Sequence, residues 1–206
     1  MLLPFSYPFI IRKNLKNTNT LLDAGCGNGR FMTEINWDKK FKTTGVDLFT
    51  PYIKQAKVTK LYDRIIQKDI RKMSFKTASF DAVLSSQVVE HFTKKDALQV
   101  IKQMEKIAKH TIVIGTPNGH FHQEAYDHND LQEHLSAWSD QDFRKLGYTV
   151  YGQGLKLVYG ESGLLHTFLG TFSPTRALIF TFSYLLSPFV YYFPQYSTYL
   201  VAVKRK

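Results

Sequence analysis

Residues 20–29 read Thr-Leu-Leu-Asp-Ala-Gly-Cys-Gly-Asn-Gly and decide the fold. A short apolar run that ends in glycines predicts a buried strand, a tight turn and then a helix, here over residues 29–38. The first turn of a helix leaves backbone N–H groups without partners, so it attracts a carboxylate or a phosphate. This stretch therefore predicts a ligand-binding loop between a strand and a helix.

The alternation of strands and helices continues along the chain. Further strands are predicted at 43–48, 64–70, 80–86, 110–117, 148–154 and 197–206. Further helices are predicted at 51–60, 94–108 and 140–146. Strands and helices that alternate at this spacing form right-handed units, so we expect an α/β fold with a mostly parallel sheet and helices on both faces.

Acidic residues end several of the predicted strands. In a parallel sheet the ligand lies at the carboxyl ends of the strands, so Asp23, Asp47 and Asp69 should share one crevice. Asp47 follows Gly25 by 22 residues, and a carboxylate there can accept hydrogen bonds from both hydroxyls of a ribose. The nicotinamide pattern G-x-G-x-x-G is not matched, because the third glycine comes one residue too early.

Four motifs stand in order along the first half of the chain: DAGCGNG at 23–29, GVDL at 45–48, KDI at 68–70 and FDAVLSSQVVEHF at 80–92. Together they resemble the class I S-adenosylmethionine (SAM)-dependent methyltransferases over about residues 20–150 and the last strand. The resemblance implies SAM as cofactor and S-adenosylhomocysteine as product. It also implies a Rossmann-like sheet of seven strands in the order 3-2-1-4-5-7-6, with the last strand antiparallel.

The resemblance further implies which residues bind each part of the cofactor. The methionine end would contact Asp23 and the backbone of the loop formed by Ala24, Gly25, Cys26, Gly27 and Gly29. The ribose would contact Asp47, the adenine would lie among Leu48, Asp69 and Ile70, and the sulfonium side would be lined by Ser85, Ser86 and Gln87.

The sequence Gln87-Val88-Val89-Glu90-His91 is most similar to the methyltransferases of ubiquinone and menaquinone biosynthesis. Some members of the ubiquinone O-methylating branch carry E-x-x-E-H there, linked to a divalent metal. Gln87 replaces the first acid and removes a charge that a hard cation needs, so we predict no metal site. His91 is a candidate catalytic residue, and the alternative is a structural hydrogen-bonded pair of Glu90 and His91.

Residues 118–138 form a polar segment with four histidines, His120, His122, His128 and His134. The segment follows the fifth strand and should lie over the crevice. A metal site, a solvated loop and a substrate-binding loop with a general base all remain open. If there is a base, His134 is the best candidate, because it is nearest to the next helix. An imidazole can take the acceptor's proton near neutral pH.

Residues 164–195 form an apolar insertion before the last strand. The run 177–193 has no charged residue, but it is too short for a membrane-spanning helix and Pro188 interrupts it. Pro174 and Pro188 predict at least two helices. For this insertion, a hydrophobic lid over the substrate and a contact with a membrane surface both remain open. We expect a single domain of residues 1–206, in which residues 1–19 form a short N-terminal lead.

Composition limits the function further. Cys26 is the only cysteine, which excludes a disulfide framework and favours a cytoplasmic location, and no secretory signal is evident. The net charge of +10 arises in residues 1–110, but arginine, which phosphate recognition favours, is scarce. We therefore expect methyl transfer to a small lipophilic acceptor, most simply at oxygen, with a peripheral membrane contact open. RNA modification or RNA binding on the same fold is the alternative.

Overall fold

The structure, a computed structural model, describes residues 2–125, 127–161, 163–164 and 173–206. Seven strands form one sheet, in the order β3-β2-β1-β4-β5-β7-β6. The strands are β1 Thr20–Ala24, β2 Lys42–Asp47, β3 Arg64–Gln67, β4 Phe80–Ser86, β5 Ala108–Pro117, β6 Thr149–Leu155 and β7 Ser197–Arg205. β7 pairs antiparallel with β5 and β6, whereas the other pairs are parallel. The expected strand order and directions are confirmed.

Helices connect the strands. The α-helices of the described residues are α1 Tyr7–Asn14, α2 Arg30–Ile35, α3 Thr50–Thr59, α4 Lys94–Ile107, α5 Asp140–Lys145, α6 Lys156–Tyr159, α7 Ser173–Leu185 and α8 Ser187–Tyr192. One-turn 3-10 helices lie at Ile70–Lys72, Val89–His91, Asp130–Gln132 and Pro194–Tyr196. Ser139 begins α5 through a reciprocal capping box with Asp142, which satisfies two backbone donors.

The two faces of the sheet each have a hydrophobic core. On one face α4 and α5 bury Val100, Met104 and Phe143 against the strands. On the other face α1 and α2 bury Ile10, Ile11, Met32 and Ile35. Helices therefore cover both faces, as the alternating pattern predicts, and the carboxyl ends of the parallel strands are left to form a crevice.

Two elements end earlier than their sequence pattern predicts. α2 ends at Ile35 because the side-chain amide of Asn36 bonds the backbone of Phe41 in both directions, through Nδ2 at 3.1 Å and Oδ1 at 2.9 Å. β3 ends at Gln67, and Asp69 instead caps the following 3-10 helix through the backbone N–H of Arg71. Both differences come from side chains that bond to nearby backbone.

α7 and α8 occupy the described part of the apolar insertion, and residues 165–172 of that insertion lie outside the described residues. α8 begins at Ser187, next to Pro188, where a proline does not cost a helical hydrogen bond. Tyr191 of α8 packs on Tyr151 of β6 and on Phe5 of the N-terminal lead. Across the described residues, every helix is too short or too polar to cross a membrane.

Candidate active site

A cavity of about 650 Å³ lies at the carboxyl ends of β1, β2 and β4. Most of the residues that the sequence assigns to the site line it: Asp23, Gly25, Cys26, Gly27, Asp47, Leu48, Asp69, Ile70, Ser86, Gln87, His91 and His134. No described residue of the insertion, which comprises residue 164 and residues 173–195, lines this cavity. The described part of the insertion packs instead along the edge strand β6.

The glycine loop between β1 and α2 is held close to the sheet. The backbone N–H groups of Gly25 and Cys26 donate to the carbonyl of Val46, at 2.8 and 3.0 Å. Gly25 has a φ of +85°, and a Cβ atom there would lie 2.4 Å from the Val88 side chain. Only glycine fits this position, so the loop backbone comes near to β4 and leaves the cavity open.

Asp47 connects the end of β2 to the glycine loop. Its Oδ2 accepts a hydrogen bond from the backbone N–H of Gly27 at 2.7 Å, and its Oδ1 accepts one from Phe49 at 2.9 Å. A carboxylate has about four acceptor positions, so lone pairs remain for a ligand. The carboxylate is thus fixed in the cavity wall and can still accept hydrogen bonds from two hydroxyls.

Asp23 is a buried acid in the cavity wall, with 4% of its surface exposed. The hydroxyl of Tyr62 donates to its Oδ2 at 2.7 Å. Burial raises the pKa of Asp23 to about 7; the Tyr62 hydrogen bond opposes that shift and the charge of Asp47 adds to it. A bound cation would favour the ionised form of this acid, so Asp23 is suited to hold an ammonium group.

Asp69 lies on the opposite side of the cavity, between apolar and charged neighbours. It forms an ion pair with Arg71 at 2.7 Å, and the hydrogen bond from Arg71 holds the pKa of Asp69 below its ordinary value. Leu48 and Ile70 add apolar surface, so this part of the cavity suits a flat ring with a polar edge.

The guanidinium carbon of Arg71 lies 5.6 Å from the centroid of the Phe92 ring. That distance is within the range of a cation–π contact. Arg71 is therefore held by Asp69 on one side and by an aromatic face on the other.

Three of the residues assigned by the resemblance do not line the cavity: Ala24, Gly29 and Ser85. Ser85 is completely buried in β4, and its neighbour Ser86 reaches the cavity instead. Successive residues of a strand point to opposite faces, so only one of the two serines can do so. Gly29 begins α2, where a Cβ atom would lie 3.1 Å from the backbone of Ala56.

The polar loop after β5 brings His134 next to His91. The backbone carbonyl of Glu90 accepts hydrogen bonds from Leu135 at 2.9 Å and Ser136 at 3.0 Å. These bonds fix the loop on the 3-10 helix Val89–His91, and the two imidazole rings lie 4.9 Å apart. The loop therefore holds His134 in the wall of the cavity.

The hydrogen bonds of the two rings define which nitrogen is protonated. Nδ1 of His134 lies 2.8 Å from the carbonyl of Phe121, and Nδ1 of His91 lies 3.1 Å from the carbonyl of Glu133. A carbonyl only accepts, so the neutral rings carry the proton on Nδ1 and His134 keeps a lone pair on Nε2. Burial lowers the pKa of His91, which favours its neutral form.

Glu90, His91 and His134 form a cluster whose carboxylate oxygen and ring nitrogens lie within 4.8 Å of one another, close enough to hold a metal ion. Gln87, which stands where the metal-linked E-x-x-E-H pattern has its first acid, donates through Nε2 to the Tyr7 hydroxyl at 3.1 Å. One carboxylate and two imidazoles are a poor donor set for Mg²⁺. The cluster therefore does not fit the hard-cation site of that pattern.

Tyr7 of α1 belongs to the site, although no local sequence pattern points to it. Its hydroxyl lies 2.9 Å from Oγ of Ser86, and its side chain lines the cavity. The hydroxyl occupies the space above Gly115 of β5, where a Cβ atom would lie 1.8 Å from it. Tyr62 was missed for the same reason: a single side chain that reaches the site across the fold leaves no local pattern. Arg71, by contrast, pairs with Asp69 only two residues away, so its position directly after the KDI motif was a usable signal.

Comparisons with known proteins agree with this geometry. Residues 22–112 match the family of the Methyltransferase domain. An uncharacterized protein of Methanocaldococcus jannaschii is 31% identical over 143 residues, which are 69% of this chain and 57% of that protein. The chain thus spans a little over half the length of this curated relative.

Two solved structures share the fold. A SAM dependent methyltransferase from Archaeoglobus fulgidus aligns with a TM-score of 0.60 and 16% identity, over 97% of this chain and 94% of that one. A 1,6-didemethyltoxoflavin-N1-methyltransferase of Burkholderia thailandensis, solved with 1,6-didemethyltoxoflavin and S-adenosylhomocysteine, aligns with a TM-score of 0.58 and 16% identity, over 97% and 76% of the two chains.

The match over residues 22–112 and the strand order together indicate a Rossmann-like methyltransferase fold.

Proposed function

We propose that this chain transfers the methyl group of SAM to a hydroxyl of a small lipophilic acceptor, with His134 as the general base. The observation that carries the proposal is the position of His134. Its ring lines the same cavity as the glycine loop and Asp47, and its Nδ1 is occupied by the Phe121 carbonyl. Nε2 is thus available to accept a proton beside the expected cofactor.

Asp23 and the glycine loop would hold the ammonium and carboxylate of the cofactor's methionine end, and Asp47 would hold its ribose hydroxyls. Leu48 and Asp69 would lie near its adenine. Each of these roles agrees with the surroundings of the residues: a buried acid for the ammonium, a fixed carboxylate for the ribose and a mixed apolar and polar wall for the ring.

The reaction is an in-line displacement. Bound SAM would supply a methyl group on a sulfonium sulfur; when the acceptor oxygen takes that methyl group, the carbon–sulfur bond would break and S-adenosylhomocysteine would leave as a neutral thioether. The proton of the acceptor hydroxyl passes to Nε2 of His134 and later to water. The domain contributes mainly by holding the two reactants in line and by removing this proton.

The lipophilic acceptor is supported by the surface of α7 and by the similarity of Gln87–His91 to quinone-biosynthesis methyltransferases. Leu178, Phe182 and Leu185 are 70%, 54% and 70% exposed on one side of α7, at helical spacing. The sequence has no acidic residue after Glu161. An apolar surface without negative charge suits peripheral contact with the cytoplasmic side of an anionic membrane. A lipophilic acceptor would be reached from that membrane.

RNA binding, with or without modification of the RNA, is the second candidate, and one observation favours it. A cavity of about 340 Å³ at the amino ends of β1 to β3 is lined by Lys39, Lys40, Lys42 and Lys60. Four lysines around a concave surface attract phosphate groups. This cavity lies at the other end of the sheet from the proposed active site, so it would bind RNA without presenting a base to the cofactor.

Methyl transfer from labelled SAM tests the proposal. The purified protein is incubated with labelled SAM and a lipid extract in one reaction. A second reaction contains labelled SAM and total RNA of the same cells. We expect label in the lipid fraction, and we expect His134→Ala to remove most of it. Label that enters RNA in a reaction at low salt but not in one at high salt would instead support the second candidate and contradict the first.

A further inference from the structure

Glu90 is a buried carboxylate that the proposed reaction has not yet used. It is 2% exposed, and its Oε2 accepts a hydrogen bond from the hydroxyl of Thr116 at 3.0 Å. Its Oε1 has no hydrogen-bond partner among the described residues. A buried polar atom without a partner is costly and usually has a functional reason.

The groups around Glu90 come from several elements. Thr116 approaches from β5, and His91 and His134 lie within 4.8 Å. The charge of Glu90 also raises the pKa of Tyr7 on α1 and of Tyr199 on β7, although burial is the larger cause for both. None of the described lysines and arginines forms an ion pair with Glu90.

We propose that Glu90 is the partner of the base: its carboxylate stabilises the imidazolium that forms when His134 takes the acceptor's proton. This inference rests on the proposed function. During the step the O–H bond of the acceptor breaks and an N–H bond forms at Nε2 of His134. The positive charge appears beside a buried carboxylate that has no other cation, which is where charge compensation is most effective.

Two further observations agree with this role. Burial raises the pKa of Glu90 to about 7, so its ionised form gains most from a nearby cation. The backbone carbonyl of Glu90, not its side chain, anchors Leu135 and Ser136. A substitution that keeps the shape of the side chain therefore removes the charge and leaves the anchor of the His134 loop in place.

Glu90→Gln is the direct test, and its control is Glu124→Gln, on the exposed part of the loop that carries His134. We expect Glu90→Gln to leave SAM affinity within about twofold and to lower kcat about tenfold or more. We also expect the midpoint of the pH profile of kcat/KM to move lower by about one pH unit, because His134 loses the charge that favours its protonation. Glu124→Gln should behave as the unaltered protein.

Nuclear magnetic resonance titration of His134 gives the same answer without an acceptor. The ring of His134 should titrate at lower pH in Glu90→Gln, and in Glu90→Asp the shift should be in the same direction but smaller, which covers the case that Glu90→Gln does not fold. An unchanged titration in the folded variants overturns the inference. A shifted titration in a protein that methylates nothing would contradict the proposed function alone.

A metal at this cluster is the remaining outcome of the test. If a chelator abolishes methyl transfer and added Mn²⁺ or Zn²⁺ restores it, Glu90 holds a metal ion, and its role as the partner of His134 is overturned.

Discussion

The hydroxyl of Tyr7 lies 2.9 Å from Oγ of Ser86, although 79 residues separate the two in the sequence. The contact places α1 against the end of β4, in the wall of the cavity. It is possible because Gly115 has no side chain. The N-terminal lead is therefore part of the candidate site.

Gly115→Ala should reduce the stability of the domain. The added Cβ atom would lie 1.8 Å from the Tyr7 hydroxyl, so the free energy of unfolding should fall by about 1–3 kcal/mol. Urea denaturation measures this change. In a Tyr7→Leu background the same substitution should cost less, since the hydroxyl is gone. Equal costs in the two backgrounds would show that Tyr7 does not occupy this space in solution.

Cofactor affinity should depend on pH through Asp23. Its pKa is raised to about 7 in the free protein, whereas the ammonium of SAM favours the ionised carboxylate. Binding must therefore release a proton below pH 7, and the Kd should rise as the pH falls from 7 to 5.5, by up to about tenfold per pH unit. Calorimetry at several pH values measures it. Asp23→Asn should bind more weakly with a flat profile, and an equally steep profile in that variant would exclude Asp23 as the cause.

Removing the imidazole of His134 should affect turnover and not cofactor binding. We expect His134→Ala to lower kcat by about 10²–10⁴ while SAM affinity stays nearly unchanged. His122→Ala is the control, because His122 belongs to the same segment but does not line the cavity. Wild-type turnover in His134→Ala would leave His134 with a structural role only.

The glycine loop and the strand order could be predicted because their signals are local. A short apolar run followed by Gly25, Gly27 and Gly29 permits few backbone conformations, and the acids that end β2 and follow β3 repeat at the spacing of strand–helix units. The alternation of side chains along β4 could also have separated Ser86 from Ser85.

The contacts of Tyr7 and Tyr62 could not be predicted in this way. Tyr62 reaches Asp23 across 39 residues, and nothing near either residue in the sequence indicates the pair. The apolar lead suggested a neighbour for the insertion, and Phe5 does contact Tyr191. The apolar composition of the lead does not predict that Tyr7 reaches the cavity, because such a contact depends on how the helices and strands pack.

The exposed side of α7 should bind anionic membranes. Vesicles that contain an anionic phospholipid should carry the protein upward in flotation, less so at high salt because screening weakens the attraction. The triple variant Leu178→Ser, Phe182→Ser and Leu185→Ser should lose most of this binding. Val58→Ser is the control, since Val58 is exposed on α3, away from the insertion. Equal flotation of both variants would contradict the membrane contact.

Calorimetric titration of SAM tests the central claim most directly. The unaltered protein should bind SAM, and Asp47→Ala should bind it at least tenfold more weakly, because a hydrogen bond to a charged acceptor contributes about 1.5–3 kcal/mol. Circular dichroism of the variant must first show that it is folded. No binding of SAM by the unaltered protein, or equal affinity in a folded Asp47→Ala variant, would contradict the account.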